Sequence, residues 1–242
     1  LLDCELSPTY FEPLGVLPVT SKLVKDVASG QRLSGEREQG GRLFIFPEVA
    51  HAETDDVTLV AMLVEGDVRA PRIVWQRFAP MVHRMLRRAF GPEYEIDDLA
   101  QEVFLVLFRR AHTLREPQAL RAFVISITAH TIRYELRRKA AGRWLRFGEP
   151  MIAKAADADL DAREALKRLY RILNRLSSDD RTAFVLRFME GLEVAEVAQA
   201  LGVSLATTKR RLSHAWRRVV IHAQRDDTLI AYLAGLGPRG VS

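Results

Sequence analysis

Between Val197 and Arg225 the sequence sets six bases, Lys209, Arg210, Arg211, Arg217, Arg218 and Arg225, and no acid. Cations gathered at this density suit one chemistry, charge-assisted hydrogen bonding to a polyanion. Bond-making chemistry has no comparable constellation. The six histidines, His51, His83, His112, His130, His214 and His222, form no HExxH or related pattern. Cys4 is the only cysteine, which excludes an internal disulfide and a cysteine-based zinc cluster. Gly-rich phosphate loops and nucleophile elbows are absent. The residues therefore describe a binding protein with no catalytic residue, no metal and no cofactor.

A second stretch points to a protein partner. In "DDLAQEVFLVLFRR", Asp97 to Arg110, helical spacing puts Leu99, Val103, Val106 and Leu107, with Ile96 just before them, on one core face. Phe104 and Phe108 widen that face. The opposite strip holds Asp98, Gln101, Glu102, Leu105 and Arg109. A leucine among charges on a soluble helix is either a stray exposed residue or the anchor of a docking strip, and this helix alone leaves both open.

The elements that position these residues read as all-α. Apolar residues make up 48% of the 242, as in a globular protein, and no run of 18 apolar residues occurs. Residues 1–54 carry Pro8, Pro13, Pro18 and Pro47 and lack periodicity, so they read as an N-terminal extension, disordered or looped. Residues 1–56 hold ten acids against five bases, which leaves a balance of +10 for the rest of a chain whose total is +5. The sequence starts at Leu1 rather than Met, as a fragment or an unusual start codon would, and lacks the basic-then-apolar order of a secretory signal. An intracellular, reducing setting is expected.

From residue 55 to about 140 the pattern predicts a helical bundle. One helix stops at Gly66, a second contains Pro71 and Pro80 and stops at Gly91-Pro92, and the Asp97–Arg110 helix follows. A Pro-containing turn and a long helix ending in bases complete this part, with Phe123 and Tyr134 read as core. Residues 141–161 lose periodicity and read as a flexible linker. Residues 162–225 form a second helical unit, in which Ser177 caps one helix, Gly202 makes a tight turn, and Ser204 caps the helix after it. Leu212, Ala215 and Val219 face inward there, leaving Lys209, Arg210, Ser213 and His214 outward and Arg211, Arg217 and Arg218 on the flanks. This is the pattern of a helix-turn-helix, whose second helix enters the major groove. The tail, residues 226–242, carries no signal.

Taken in order, "GDVRAPRIVWQRFAPMVHRMLRRAFG", "DDLAQEVFLVLFRR" and "LRAFVISITAHTIRYELRRK" resemble region 2 of an extracytoplasmic-function (ECF) sigma factor, of the sigma-70 family. "LSSDDRTAFVLRFMEGLEVAEVAQALGVSLATTKRRLSHAWRRV" resembles region 4. The likeness covers about residues 55–222. It implies a promoter-specific transcription initiation factor, cytoplasmic and nucleoid-associated in a bacterium, that binds core RNA polymerase and reads −10 and −35 promoter elements. Asp98, Gln101, Glu102, Leu105 and Arg109 would dock on the clamp helices of the large polymerase subunit. The −10 strand would meet Arg115, Gln118 and Arg121, with Arg133, Arg137, Arg138 and Lys139 on phosphates. The −35 duplex would meet Ser204, Thr207, Lys209, Arg210, Arg211, Ser213, His214 and Arg217. An anti-sigma factor is a further partner the resemblance implies, whereas a membrane or a small-molecule substrate is not. The alternative is a helix-turn-helix regulator that does not replace sigma.

The chain departs from the family where "FVISITAH" replaces "WLYRIARN", so Ser126 and His130 stand where a basic and an amide residue are usual. Glu193 stands in place of a Ser or Thr cap. Thr208 replaces a common Val, its hydroxyl within reach of the Ser204 carbonyl, and Trp216 replaces a frequent Arg.

Overall fold

The computed structural model describes residues 54–92, 94–145 and 160–224, with Asp226, Leu229, Ile230 and Leu233 beyond them. The N-terminal extension, apart from Thr54, lies outside the described residues, as do residues 146–159 of the expected linker. Every regular element among the described residues is helical. They are α1 (Asp56–Glu65), α2 (Ala70–Phe90), α3 (Asp97–Arg110), α4 (Leu120–Leu145), α5 (Leu160–Leu173), α6 (Ser178–Phe184), α7 (Val194–Leu201) and α8 (Leu205–Ala223). Two 3₁₀ turns, Ala111–Thr113 and Pro117–Ala119, link α3 to α4, and a π-helical turn, Val185–Met189, continues α6.

Local signals set most of these ends. The Asp55 carboxylate accepts from the Thr58 amide at 2.7 Å and starts α1, which stops at Gly66 with φ 80°. Ser177 caps α6 through the Asp180 amide at 3.1 Å, and Ser204 caps α8 through the Thr207 amide at 3.2 Å. Between α7 and α8, Gly202 takes φ 64°, the left-handed turn that lets two helices meet at a sharp angle. The α7 start with Glu193 is closed in a different way from a hydroxyl cap: the Glu196 carboxylate reaches back to the Glu193 amide at 2.7 Å.

The first module packs α1 to α4 around Leu59, Val74, Val82, Leu86, Val103, Leu107, Leu120, Val124 and Ile132, all fully buried. On α3 the inward face is the one periodicity predicts, with Leu99, Val103, Phe104 and Leu107 buried, while Val106 and Phe108 pack partly buried beside it. The second module packs α5 to α8 around Leu169, Leu173, Phe184, Leu186, Val197, Leu212, Ala215 and Val219. Trp216 is recruited into this core: its ring lies 4.7 Å from that of Phe188 and 6.3 Å from that of Phe184. A tryptophan here adds packing area where an arginine would have reached for solvent.

The two modules also touch. Met85 of α2 and Ile125 and Ala129 of α4 belong to the second module's apolar cluster, and Val185 belongs to the first module's. Tyr134 departs from the expected core position: it is 48% exposed, because α4 directs Ile132, Glu135 and Leu136 inward around it.

No atom lies within 4 Å of where a Cβ on Gly202 would stand, so substitution there meets backbone strain alone. Gly202→Ala should therefore lower unfolding free energy by about 1–2 kcal/mol. Urea melts that match the parent would show that the turn does not depend on the left-handed conformation.

Candidate nucleic-acid interface

The helix-turn-helix is α7, the Gly202 turn and α8. Leu212, Ala215 and Val219 point into the core with no exposed area, as does Thr208, whose hydroxyl donates to the Ser204 carbonyl at 3.0 Å. That leaves Lys209, Arg210, Arg217 and Arg218 exposed, with Ser213 half-buried between them. Two of the predicted base-reading side chains are held from behind. Arg211 Nη2 donates to Asp179 Oδ2 at 2.9 Å, and His214 Nδ1 lies 2.9 Å from Asp180 Oδ2. The acids at the start of α6 thus orient two side chains of α8, and Arg210 and Arg217 form an exposed cationic edge beside them. Ser177, Asp179, Asp180, Arg210 and Arg217 line the cleft of about 470 Å³ between these helices.

On α3 the outer strip stays outside the core. Asp98, Gln101 and Arg109 are exposed, and Glu102 and Leu105 are half-buried. Arg109 Nε donates to the Leu105 carbonyl at 3.1 Å, folding the guanidinium back along its own helix. Behind the strip, Phe104 is buried under Trp75, with ring centroids 4.3 Å apart. The strip is therefore a half-buried leucine ringed by polar and charged side chains, carried on a helix whose other face is packed.

Arg115 and Gln118 in the turn from α3 to α4, and Arg121 at the start of α4, are exposed. The basic end of α4 is less available than its composition suggests. Burial alone would push the Glu135 carboxyl up, yet hydrogen bonds from Arg138 and Tyr94 outweigh it and hold the group below the ordinary carboxylate range. Arg138 donates to that carboxylate at 2.6 and 3.0 Å, and the Tyr94 hydroxyl donates at 2.8 Å. Burial and the same carboxylate push the Tyr94 phenol up to about 12. Lys139 Nζ sits 3.3 Å from the Tyr94 ring centre, a cation over a π face. Arg133 turns toward the second module, where Nη1 donates to the Leu201 carbonyl at 2.9 Å and Nε lies 3.4 Å from Asp179 Oδ1. Of the predicted phosphate-holding run, Arg137 is exposed and bonded only to its own helix, through the Arg133 carbonyl at 3.4 Å.

Two family models match along this architecture. Sigma-70 region 2 matches residues 74–142, and Sigma-70 region 4 matches residues 166–219. The chain belongs to the sigma-70 family, in its ECF branch. Among curated relatives, the ECF RNA polymerase sigma factor SigM of Mycobacterium tuberculosis is 28% identical over 167 residues, 69% of this chain and 84% of that protein. The ferric citrate uptake sigma factor FecI of Escherichia coli is 27% identical over 136 residues, 54% of this chain and 77% of that protein. The solved structure of CnrH in complex with the cytosolic domain of CnrY shares the fold, with a TM-score of 0.53 at 23% identity, over 72% of this chain and all of that one. This chain is accordingly an RNA polymerase sigma factor, and the family acts in transcription initiation without catalysis of its own.

Sequence reasoning missed the residues that join the modules. Arg181 is 4% exposed, an arginine buried beside Asp180, Thr182 and Ala183 on α6. Its Nε and Nη2 donate to the Ala89 carbonyl at 3.0 and 2.5 Å, and it also bonds Asn174. Glu190, with only 4% of its side chain exposed, pairs with Arg84 at 3.0 Å and Arg88 at 3.1 Å. Arg181 follows Ser177-Ser178-Asp179-Asp180 and precedes Thr182, so its setting is polar and gives no local signal of burial. Nothing local marks Glu190.

His130, in the departure segment of α4, carries a testable consequence. Burial, and after it the cations Arg133, Arg137 and Arg110, lower its pKa to about 4 from the ordinary 6.5. The folded state resists protonation that the unfolded chain accepts. Stability is full above pH 6.5 and declines as pH falls toward 4. His130→Gln should shrink the loss across that window by on the order of 1–3 kcal/mol. Chemical denaturation at several pH values measures it, and parallel slopes for parent and variant would show that the imidazole is not held neutral.

Proposed function

We propose that this sigma factor engages core polymerase through α3, the −10 strand through the α3–α4 turn and α4, and the −35 duplex through α8. The observation that carries the reading is the α3 strip: Leu105 half-exposed among Asp98, Gln101, Glu102 and Arg109, on a helix whose other face is buried. An apolar centre within charged neighbours gives a modest interface both an anchor and an orientation. The clamp helices of the large polymerase subunit are the partner for that strip. The chain works in the cytoplasm, at the nucleoid, and among its described residues no helix is long and apolar enough to cross a membrane.

At the −35 element, Lys209 and Arg210 supply donors suited to guanine edges, Ser213 can bond several bases, and Arg217 meets phosphate. Arg211 and His214, braced by Asp179 and Asp180, enter the groove in fixed orientations, with Ser204 and Thr207 at the helix start near the backbone. At the −10 element, Arg115, Gln118 and Arg121 line the turn that receives the separated strand, and Arg137 with Arg138 and Lys139 neutralises its phosphates. Neither site needs high affinity alone. Joining both on one polymerase raises effective concentration and yields about 10²–10⁴ in avidity. The structural relative whose complex includes CnrY supports an anti-sigma partner here too.

Leu105→Arg should abolish co-purification with core polymerase while leaving the melting temperature unchanged, since the side chain is not part of the buried core. Retention on the polymerase would contradict the docking role. On a promoter library, Arg210→Ala should cost about 1–3 kcal/mol and relax preference at one −35 base pair, whereas Arg217→Ala should weaken all sequences alike. Indistinguishable profiles for the two variants would count against the assignment of α8.

A further inference from the structure

The two acids at the start of α6 brace two side chains of α8, and the braces differ in kind. Arg211 donates to Asp179 at 2.9 Å. A guanidinium has donors only, so that brace sets where Arg211 points and not what it can bond. His214 is a different case. A neutral imidazole carries one N–H donor and one bare nitrogen, and its neighbours decide which is which. Its Nδ1 lies 2.9 Å from Asp180 Oδ2. A carboxylate accepts and cannot donate, so the hydrogen belongs on Nδ1 and the lone pair on Nε2. Asp180 is well placed to hold this arrangement. Its side chain is only 12% exposed, and its amide donates to Ser177 Oγ at 3.1 Å in the first turn of α6. The His214 side chain, by contrast, is half exposed.

Nε2 lies across the ring from Nδ1, so it faces away from α6. His214 follows Arg210 by four residues and precedes Arg217 by three, which puts it on the outward face of α8 beside both arginines. A lone pair on that face can bond only a donor. In the major groove two groups qualify, the N6 amine of adenine and the N4 amine of cytosine; guanine O6 and thymine O4 are acceptors. We propose that Asp180 is a positioning residue that sets promoter specificity through His214: by fixing the tautomer, it makes α8 select adenine or cytosine at one −35 position. A keto group there sets one lone pair against another, so the same contact that rewards the matched base penalises the mismatched one. Asp179, braced to an arginine, has no comparable choice to impose. The inference rests on the reading of α8 as the −35 helix.

Two measurements test this. Nitrogen-15 spectra of the full chain at about pH 8, where an ordinary imidazole is neutral, report the ring nitrogens, and His214→Gln identifies the signal. Nδ1 should be protonated and Nε2 bare, and Asp180→Ala should lose that bias. The second is a library of promoters randomised in the −35 element, transcribed by core polymerase with the full chain at the same pH. The parent should favour adenine or cytosine over guanine or thymine by about tenfold at one position. His214→Ala and Asp180→Ala should both lose that preference, at that position and no other, while Asp179→Asn keeps it. A protonated Nε2 in the parent would overturn the proposal and leave the sigma reading intact. So would an Asp180→Ala chain that keeps the parent preference, or one that weakens all −35 sequences alike as a merely structural residue would. A bare Nε2 with no position answering to His214 would overturn it too, and with it the placing of α8 on the −35 duplex.

Discussion

The structure turns on how a helix end is satisfied when it is not left to water. The last carbonyls of α2 are met by Arg181 and Tyr170, and those of α7 by Arg133 and Ser126. An arginine as buried as Arg181 is costly without partners, because its charge has left water. A helix C-terminus supplies those partners without a second formal charge. The module boundary is thus also a set of donors and acceptors that fit one another.

The three surfaces proposed for polymerase and promoter fall on different elements for physical reasons. The α3 strip is displayed because Leu99, Val103, Phe104 and Leu107 pin the opposite face into the core. The α8 edge is displayed because Leu212, Ala215 and Val219 do the same there, and because Asp179 and Asp180 tether two neighbouring side chains from behind. The α4 stripe is the exception. It faces the other module, and its cations are shared between helix-end carbonyls and acids.

Much of this was legible in the sequence, and what was not has a common cause. The all-α class, the inward face of α3, the Ser177 and Ser204 caps, the Gly202 turn and the Thr208 hydroxyl bond are local, fixed by residues within about one helical turn. Arg181, Glu190 and Tyr170 act on residues 82 to 106 positions away, and no local pattern encodes such a partner. Arg133 and Arg138 read as free bases in a basic run, yet each is committed to a carbonyl or carboxylate. Tyr134 read as core because α4 is apolar over much of its circumference, which leaves periodicity unable to choose a face. Trp216, at a position where an arginine is frequent, extends the Phe184–Phe188 core through contacts that periodicity does not encode.

The central claim is that this single chain gives core RNA polymerase a sequence preference it lacks alone. Mapping the 5′ ends made by purified core polymerase on fragmented genomic DNA, with and without the chain, tests it most directly. The account predicts discrete starts present only with the chain, each preceded by the same two spaced boxes. Starts that are absent, or identical with and without it, would contradict the account.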